Sequence, residues 1–543
     1  MIRRREFVKS SLVGTALLSV PLVRAILAAD SASPVVATKY GKVRGISADG
    51  VCAFKGVHYG ASPEGAGRFM PAAPPKPWIG VFDALEYGTM APQILSSATG
   101  SDIRIAMGDI FGPGDVGEDC LVLNVWTPSV ARGKRPVMVW LHGGGYTGGS
   151  DGAPTYDGAN LARKQDVVVV GINHRLNVFG YLYLGEIAGE KYADSGNVGM
   201  LDIVLALKWV RDNIAHFGGD PGNVTIFGES GGGGKVGTLM AMPPAKGLFH
   251  KAIVESGSML RVSTRDEAEA TARKFLAQLK IEPDQVHDLQ NVPMSDMLAT
   301  FRTMTGPNAI RLGPVVDGRS LPRQPFDPDA PAQSASVPMI IGTNGTETTA
   351  LLGIVDPSLF SLSEAEMRTK LETYLHLADD SQLDGLIAAY KKARPDATPS
   401  DIYFAVTTDR MMRINAITQA ERKAAQDAAP AYMYIFDWRS PVLGGEMGSP
   451  HGIELAFVFD NTDKTTGMNG TGADLAPLAE KMSAAWAAFA RTGNPNHSGL
   501  PHWPAYDVNS RATMIFNDEC KIVDDPGRDE RLAITALATA QGF

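Results

Sequence analysis

Continuous apolar runs mark the middle of the chain and predict strands that are buried on both faces. The runs RPVMVWL at 135–141 and DVVVVGIN at 166–173 lack the alternation of a half-exposed strand, and such runs are typical of parallel sheets. Apolar residues recur at nearly helical spacing over 200–217, and the strand-like run NVTIF follows at 223–227. This alternation of strand and helix predicts a mostly parallel α/β sheet.

The beginning of the folded chain follows a different pattern. Two strand-like runs at 35–46 and 51–57 flank Asp49-Gly50, a dipeptide that favours a hairpin turn, so we expect an antiparallel start to the sheet. Residues 260–440 contain more polar and alanine-rich segments that are compatible with helices, interrupted by two strand-like runs. No internal repeat or low-complexity linker divides the chain, which predicts one domain over 31–543 with helical insertions around 260–440.

Residues 1–30 resemble a signal peptide for export through the twin-arginine pathway. Arg4 and Arg5 precede a moderately apolar run, and Pro21 and Arg24 interrupt that run. A membrane-spanning helix needs about 20 uninterrupted apolar residues, so the run is a poor anchor. The pattern predicts an exported enzyme, periplasmic or secreted, whose mature chain has no integral membrane segment. A cytoplasmic protein with an accidentally basic start is the alternative.

Composition and charge exclude several classes of function. The 543 residues carry a net charge of −9, whereas binding to nucleic acid phosphates requires a basic surface. Cys52, Cys120 and Cys520 fit no zinc-site spacing; one disulfide is possible, but the sequence favours three mostly buried thiols. The patterns of a phosphate-binding loop and of the metalloprotease helix do not occur. No metal is predicted.

The most informative serine is Ser230, which follows the predicted strand at 223–227 in the pattern G-x-S-x-G. This is the pattern of a nucleophile elbow, a sharp turn between strand and helix that exposes the serine hydroxyl. Gly228 and Gly232 fit this interpretation because side chains there would collide. Gly233 and Gly234 are not explained by the elbow, and close packing of helix and strand is our suggestion. A chance match to so short a pattern is the alternative.

A nucleophilic serine also requires hydrogen-bond donors for the negative charge that develops on the substrate. The glycine-rich sequence HGGG follows the buried run 135–141, and its amides at Gly144 and Gly145 are candidate donors for an oxyanion hole. The amide of Gly231, next to the serine, is the third candidate.

The same glycine-rich sequence also matches G-x-G-x-x-G through Gly143, Gly145 and Gly148. A dinucleotide site would require a helix to begin there and an acidic residue at the end of the next strand. Turn-forming residues follow instead, and the next strand ends in GINHR. The sequence therefore predicts no nucleotide or other cofactor.

Several longer motifs accompany the serine and the glycines. They are FKGVHYGASPEGAGRF, EDCLVLNVWTP, WLHGGGYTGGS, the stretch from NVGMLDIV to TIFGESGG, ARTGNPN and WPAY. From about residue 35 to 510 the sequence resembles the type-B carboxylesterase and cholinesterase family of the α/β-hydrolases. The resemblance implies a mostly parallel sheet with helices on both faces. It also implies a serine esterase that hydrolyses small-molecule carboxylic esters through an acyl-enzyme.

The resemblance also implies the other members of a catalytic triad. The acid of the family corresponds to Glu347 in IIGTNGTETT, and its histidine corresponds to His451 in HGIELAFVF. The chain order Ser230, Glu347, His451 is that of α/β-hydrolases. His451 should act as the general base and Glu347 should orient it, with activity falling below about pH 6.5. A structural histidine and a solvated carboxylate are the alternatives.

Two further residues are candidates through the resemblance. Glu229 precedes the serine, and in relatives this carboxylate lies near the site in a water network. Ser256 in VESGS matches a serine that contacts the acid. Both residues could equally be structural.

The sequence departs from the family in three places. Ala91 stands at the position of the usual disulfide partner of Cys120, so the loop 92–117 should be untethered. That loop lacks the tryptophan that cholinesterases use to hold a quaternary ammonium group, so a choline ester has no support. His58 stands where relatives usually have proline, for no reason that the sequence reveals.

Two other functions remain open at this point. A catalytically silent binding protein on the same fold would be expected to lack a triad member, and none is missing. Amides, carbamates or lipid-length esters could be the substrates, because pocket walls rather than the triad set that preference. The sequence gives neither the physiological ester nor the oligomeric state.

Overall fold

A computed structural model describes residues 33–94, 115–131, 133–304, 309–377 and 380–540. The predicted export signal at 1–30 and most of the loop 92–117 lie outside these residues, so both remain predictions. Within the described residues, no helix is both long and apolar enough to cross a bilayer.

Strands occur at each of the predicted runs and also outside those runs, as at Val81–Asp83, Lys251–Glu255, Ala512–Phe516 and Lys521–Asp524. They are β1 (Val35–Ala37), β2 (Lys42–Arg44), β3 (Ile46–Ala48), β4 (Val51–His58), β5 (Val81–Asp83), β6 (Val122–Thr127), β7 (Arg135–Leu141), β8 (Val168–Ile172), β9 (Gly219–Glu229), β10 (Lys251–Glu255), β11 (Met339–Asn344), β12 (Ala431–Phe436), β13 (Ala512–Phe516) and β14 (Lys521–Asp524).

Helices alternate with the strands and dominate the segment between β10 and β12. They are α1 (Ala159–Gln165), α2 (Asn177–Tyr181), α3 (Gly185–Ala188), α4 (Val198–Asn213), α5 (Gly231–Ala241), α6 (Arg265–Leu279), α7 (Met294–Thr303), α8 (Glu347–Leu351), α9 (Glu364–Leu375), α10 (Asp380–Ala393), α11 (Pro399–Thr408), α12 (Ile414–Ala424), α13 (Leu455–Val458), α14 (Leu475–Thr492) and α15 (Arg528–Ala540).

The large sheet has the strand order β14-β13-β12-β11-β10-β9-β7-β8-β6-β4-β3. The strands from β8 to β13 in this order pair in parallel, and the pairs β8–β6, β6–β4, β4–β3 and β13–β14 are antiparallel. The predicted α/β-hydrolase fold, with its mostly parallel sheet and antiparallel start, is confirmed. At the start, Ala48 pairs with Val51 across a turn in which Asp49 and Gly50 both have positive φ, as type I′ hairpins require.

Burial on both faces of the sheet explains the continuous apolar runs. Along β7, Val137, Val139 and Leu141 point into one hydrophobic cluster, while Met138 and Trp140 point into the cluster on the opposite face. All five side chains are fully buried. Because neither face meets water, selection for apolar residues acts on every position rather than on every second one.

Several helices in the segment 260–440 begin at capping boxes. In each box a hydroxyl accepts a hydrogen bond from the amide three residues later, and the carboxylate at that later position accepts one from the amide of the capping residue. The pairs are Thr264 with Glu267, Ser363 with Glu366, and Thr398 with Asp401. These local signals fix where α6, α9 and α11 start, independently of the sheet.

Strand register brings the carboxyl ends of the central strands to one edge. Leu141 in β7 pairs with Gly228 in β9, Glu229 pairs with Glu255 in β10, and Glu255 pairs with Gly342 in β11. In open parallel sheets, ligands bind outside the carboxyl ends of the strands. The loops that follow these strands carry the candidate residues.

A buried ion pair ties the end of β8 to α4. Arg175 donates to the carboxylate of Asp202 from Nε at 2.8 Å and from Nη2 at 2.6 Å, and its Nη1 donates to the Met70 carbonyl at 2.9 Å. Both charged side chains are almost completely buried. A bidentate geometry of this kind satisfies the fork of the guanidinium.

Replacement of Asp202 by alanine should strongly destabilise the protein, because it leaves the Arg175 charge buried without a partner. We expect the free energy of unfolding, measured by urea denaturation, to fall by about 3–5 kcal/mol. Asp212→Ala on the same helix removes two surface ion pairs, with Lys39 and with Arg211, and should cost about 1 kcal/mol or less. Equal losses in the two variants would contradict this account of the buried pair.

Candidate active site

Ser230 occupies a strained turn between β9 and α5. Its φ of 56° and ψ of −123° are unusual for a residue other than glycine, and such strain is common at functional sites. The turn is held because the Ser230 amide donates to the Glu255 carbonyl at 2.9 Å, and the Gly234 amide donates to the Ser230 carbonyl at 3.0 Å. The serine side chain is half-buried.

The glycines around Ser230 allow backbone to pack directly on backbone. A Cβ atom on Gly228 would lie 2.6 Å from the carbonyl oxygen of Leu141, and one on Gly232 would lie 1.9 Å from the same oxygen. A Cβ atom on Gly231 would lie 2.1 Å from the carbonyl oxygen of Gly145. Each is closer than real side chains allow, so the helix can reach the loop after β7 only without side chains.

Gly233 and Gly234, which the elbow did not explain, face two other neighbours. A Cβ atom on Gly233 would lie 3.0 Å from both the Glu255 carbonyl oxygen and the Cα atom of Gly257, at the end of β10. A Cβ atom on Gly234 would lie 2.7 Å from the Tyr146 hydroxyl. The helix therefore packs closely against both flanking loops.

The three amides expected to form an oxyanion hole are free in this structure. Gly144 and Gly145 are exposed and have φ values of 84° and 63°. Neither amide donates a hydrogen bond to another described residue, and the same holds for Gly231. The Gly144 carbonyl accepts from the Gly148 amide at 3.1 Å, which closes the loop on itself.

His451 and Glu347 meet although 104 residues separate them. Nδ1 of His451 lies 2.6 Å from Oε2 of Glu347, and both side chains are buried. The other oxygen of Glu347 accepts from the Ser256 hydroxyl at 2.6 Å and from the Asn344 amide at 2.7 Å. Ser256 therefore contacts the acid, and Asn344 is a partner that the sequence did not reveal.

The second nitrogen of His451 faces Glu229 in this structure. Nε2 lies 3.0 Å from Oε1 of Glu229, but the pair lacks hydrogen-bond geometry. The Ser230 hydroxyl makes no hydrogen bond to any described residue, so the expected bond between serine and histidine is not formed here. Nε2 is therefore left without a hydrogen-bond partner among the described residues.

Comparison with known proteins shows the family to which the chain belongs. The sequence model of the carboxylesterase family matches residues 32–535. The chain belongs to the carboxylesterase family. It is 36% identical over 509 residues to the para-nitrobenzyl esterase of Bacillus subtilis, covering 92% of this chain and 97% of that protein. It is 33% identical over 516 residues to the phenmedipham hydrolase of Pseudarthrobacter oxydans, covering 93% and 99%.

A solved structure agrees with this assignment. The crystal structure of carboxylesterase EST55 from Geobacillus stearothermophilus superposes with a TM-score of 0.79 at 38% identity, covering 92% of this chain and 99% of that one. The resemblance noted from the sequence motifs is therefore confirmed, and the chain is a carboxylic ester hydrolase.

The charges around His451 shift its titration. Burial alone lowers the pKa of this imidazole, but the negative charges of Glu229 and Glu347 outweigh burial and raise the pKa above its ordinary value. Burial raises the pKa of Glu229, and the positive charge of His451 opposes that shift. The two groups therefore titrate as a pair.

Two buried glutamates complete the cluster and were not singled out in the sequence. Glu454, three residues after His451, accepts from the Asn344 side chain at 2.5 Å, and burial raises its pKa well above the ordinary value. Glu255 accepts from Nε1 of Trp486 at 2.8 Å, and burial raises its pKa to about 8. Both lie within quoted motifs, Glu255 in VESGS and Glu454 in HGIELAFVF, but neither motif reveals that the side chain is buried.

Lys235 is a third buried group that sequence reasoning missed. The side chain is fully buried in α5, and its Nζ donates to the His142 carbonyl at 2.9 Å. Burial lowers the pKa of the ammonium to about 7, against the opposing influence of Glu229. A lysine five residues after the serine is unremarkable in sequence, because only the tertiary structure buries it.

The cysteines and His58 contribute little to the site. Cys52, Cys120 and Cys520 are all free thiols; Cys120 is buried and the other two are half-buried. His58 lies 3.8 Å from Asp119, and nothing in the structure explains why histidine stands there.

Replacement of Glu255 by glutamine should stabilise the protein increasingly as pH rises. The folded-state pKa of about 8 exceeds the ordinary 4.5, so the wild-type protein loses stability between these two values while the variant does not. We expect the difference in unfolding free energy to reach about 4 kcal/mol near pH 9. Glu480→Gln, an exposed change on the helix that carries Trp486, should show no such trend in urea unfolding. If the difference in unfolding free energy between Glu255→Gln and the wild type did not change with pH, the raised pKa of Glu255 would be contradicted.

Proposed function

We propose that this carboxylesterase hydrolyses small-molecule esters through an acyl-enzyme on Ser230. The observation that carries the proposal is the 2.6 Å contact between His451 and Glu347, beside the strained serine. Nδ1–H donating to the carboxylate leaves the Nε2 lone pair available as a base. The alternatives for these two residues fit less well, because the histidine and glutamate are buried and joined rather than separate.

The reaction would proceed in two halves. As Oγ of Ser230 bonds to the ester carbonyl carbon, its proton passes to Nε2 of His451, and the carbonyl oxygen becomes an oxyanion. The amides of Gly144, Gly145 and Gly231 would then donate to that oxyanion. Collapse breaks the bond to the alcohol, which takes the proton from His451 and leaves.

Water resolves the acyl-enzyme by the same route. His451 accepts a proton from the water as the water oxygen bonds to the acyl carbon, and it returns that proton to Oγ of Ser230 as the acid departs. Glu347, held by Ser256 and Asn344 at 2.6 and 2.7 Å, would keep the imidazole in one tautomer throughout. In the free enzyme, catalytic hydrogen bonds are often unformed until substrate binds, which fits the free Ser230 hydroxyl.

Replacement of Ser230 by alanine should abolish turnover of a para-nitrobenzyl ester. This substrate is chosen because a relative is named for that activity. We expect kcat to fall by about 10⁶-fold, because no other hydroxyl stands at the elbow. An organophosphate should add its mass to the Ser230 peptide of the wild-type enzyme only.

The matched control is Ser483→Ala. Ser483 is buried in α14 and donates to the Glu480 carbonyl, so its loss removes a hydroxyl without touching the site. This variant should keep wild-type kcat. Undiminished turnover in Ser230→Ala would refute the proposal.

Replacement of Glu229 by glutamine should move the acid limb of the pH–rate profile to lower pH. The base must be neutral to act, so a carboxylate that raises the pKa of His451 places the limb above the pH 6.5 of an unperturbed imidazole. Removal of that charge should lower the apparent pKa in kcat/KM by about one to three units. Glu446→Gln, an exposed change five residues before His451, should leave the profile in place. A shift to higher pH in Glu229→Gln would exclude this coupling.

A further inference from the structure

Lys235 is a buried ionisable side chain that has no role in the reaction proposed above. It lies in the second turn of α5, and none of its surface reaches solvent. Lysine is almost never fully buried without a partner, because desolvation of an ammonium is costly. Yet no described carboxylate lies within ion-pair distance of it. Because no ion pair compensates for the burial of Lys235, this side chain is a candidate for a functional role.

The partner of Lys235 is a backbone carbonyl at the start of the glycine loop. Nζ donates to the carbonyl oxygen of His142 at 2.9 Å, two residues before Gly144. The His142 side chain is occupied elsewhere, since its Nδ1 lies 2.9 Å from the Gly143 carbonyl oxygen and its ring stacks on His174 with centroids 4.9 Å apart. Among the described residues, no other side chain hydrogen-bonds that carbonyl.

The same helix also supplies the other half of the oxyanion hole. Gly231 begins α5, and its amide is one of the three candidate donors, while Gly144 and Gly145 belong to the loop after β7. Where the two meet, the Gly145 carbonyl oxygen would lie only 2.1 Å from a Cβ atom on Gly231. The separation between helix and loop therefore decides whether three amides can converge on one oxygen atom.

We propose that Lys235 is a positioning residue for the oxyanion hole: by donating to the His142 carbonyl, it fastens the glycine loop to the helix that carries Ser230 and Gly231. The proposal rests on the acyl-enzyme mechanism above and adds a residue to it. Lys235 touches neither substrate nor Ser230 in this role. It acts through the backbone that presents Gly144 and Gly145.

The position of the donor is suited to this task. A hydrogen bond from Nζ persists whether the amine is charged or neutral, since both forms carry N–H groups. The ring of Tyr146, which follows Gly145 in the same loop, lies 5.5 Å from Nζ, so the loop also packs against the side chain that would hold it. An alkyl replacement would fill the space but leave the carbonyl of His142 without its donor.

The test compares Lys235→Met with Lys423→Met. Lys423 is also buried, and its Nζ donates to the carbonyls of Ser334 and Ala335, which belong neither to the glycine loop nor to the proposed catalytic residues. Both variants are measured for kcat and KM on a para-nitrobenzyl ester, and for inhibition by an aryl trifluoromethyl ketone. Addition of Oγ of Ser230 to that ketone forms an oxyanion, so the inhibitor reports on the oxyanion hole.

Misplaced amides should weaken the enzyme's binding of the oxyanion in the transition state and leave its binding of the unreacted ester unchanged. For Lys235→Met we expect kcat to fall about ten- to a hundredfold and inhibitor binding to weaken in parallel, with KM within about threefold of wild type. Lys423→Met should leave kcat and inhibitor binding at wild-type values, although it lowers the unfolding temperature. If Lys235→Met does not fold, Lys235→Gln, whose amide stops short of the carbonyl, should show the same pattern.

Two results would overturn the proposal. In the first, a folded Lys235 variant keeps the wild-type kcat and the wild-type affinity for the inhibitor. In the second, the KM of the variant changes by as large a factor as its kcat, and its affinity for the inhibitor does not change. If Ser230→Ala is inactive in the same assay, either result removes only the role of Lys235 and leaves the acyl-enzyme mechanism intact. Full turnover in Ser230→Ala would instead remove both.

Discussion

Direct backbone contact between α5 and the loop after β7 constrains the rest of the site. Gly232 would clash with the Leu141 carbonyl, and Gly231 with the Gly145 carbonyl, if either carried a side chain. Ser230, at the turn into this helix, has a φ of 56°, and Gly231, the first residue of the helix, packs against Gly145 of the glycine loop. Glycine costs helix stability, so four in succession at a helix start indicate that proximity matters more there than propensity.

The same close packing buries the charged side chains of the site away from solvent, and this burial strengthens the interactions between their charges. Glu229, Glu255, Glu347 and Glu454 are buried beneath the strand ends, and His451 lies 3.0 Å from Glu229 and 2.6 Å from Glu347. Interactions between charges are stronger where solvent cannot screen them, so the titration of any member depends on the others. Burial raises the pKa of both Glu255 and Glu454, because an ionised carboxylate is costly where water cannot solvate it.

The sequence predicted features that depend on residues close together along the chain better than features that depend on residues far apart along it. Strands β7 and β8 were predictable because burial on both faces leaves a continuous apolar run, and the turn at Asp49-Gly50 because its signal is local. Ser230 and the glycine loop lie in local motifs as well. His451 lies in a turn and Glu347 begins α8, 104 residues apart in the sequence, so only the family resemblance joined them. Lys235 was missed because nothing in its neighbourhood along the chain indicates burial.

Strand register is what converts these separate segments into one site. Leu141, Gly228 and Val254 are neighbours across β7, β9 and β10, so the residues that follow each strand emerge at the same level. A slip of one residue in β9 would turn every side chain of that strand to the opposite face and would carry Ser230 away from the glycine loop. The buried apolar side chains of β9 oppose such a slip, because Val224, Ile226 and Phe227 each fit one face only. The hydrophobic core thus determines the position of the serine as firmly as the elbow does.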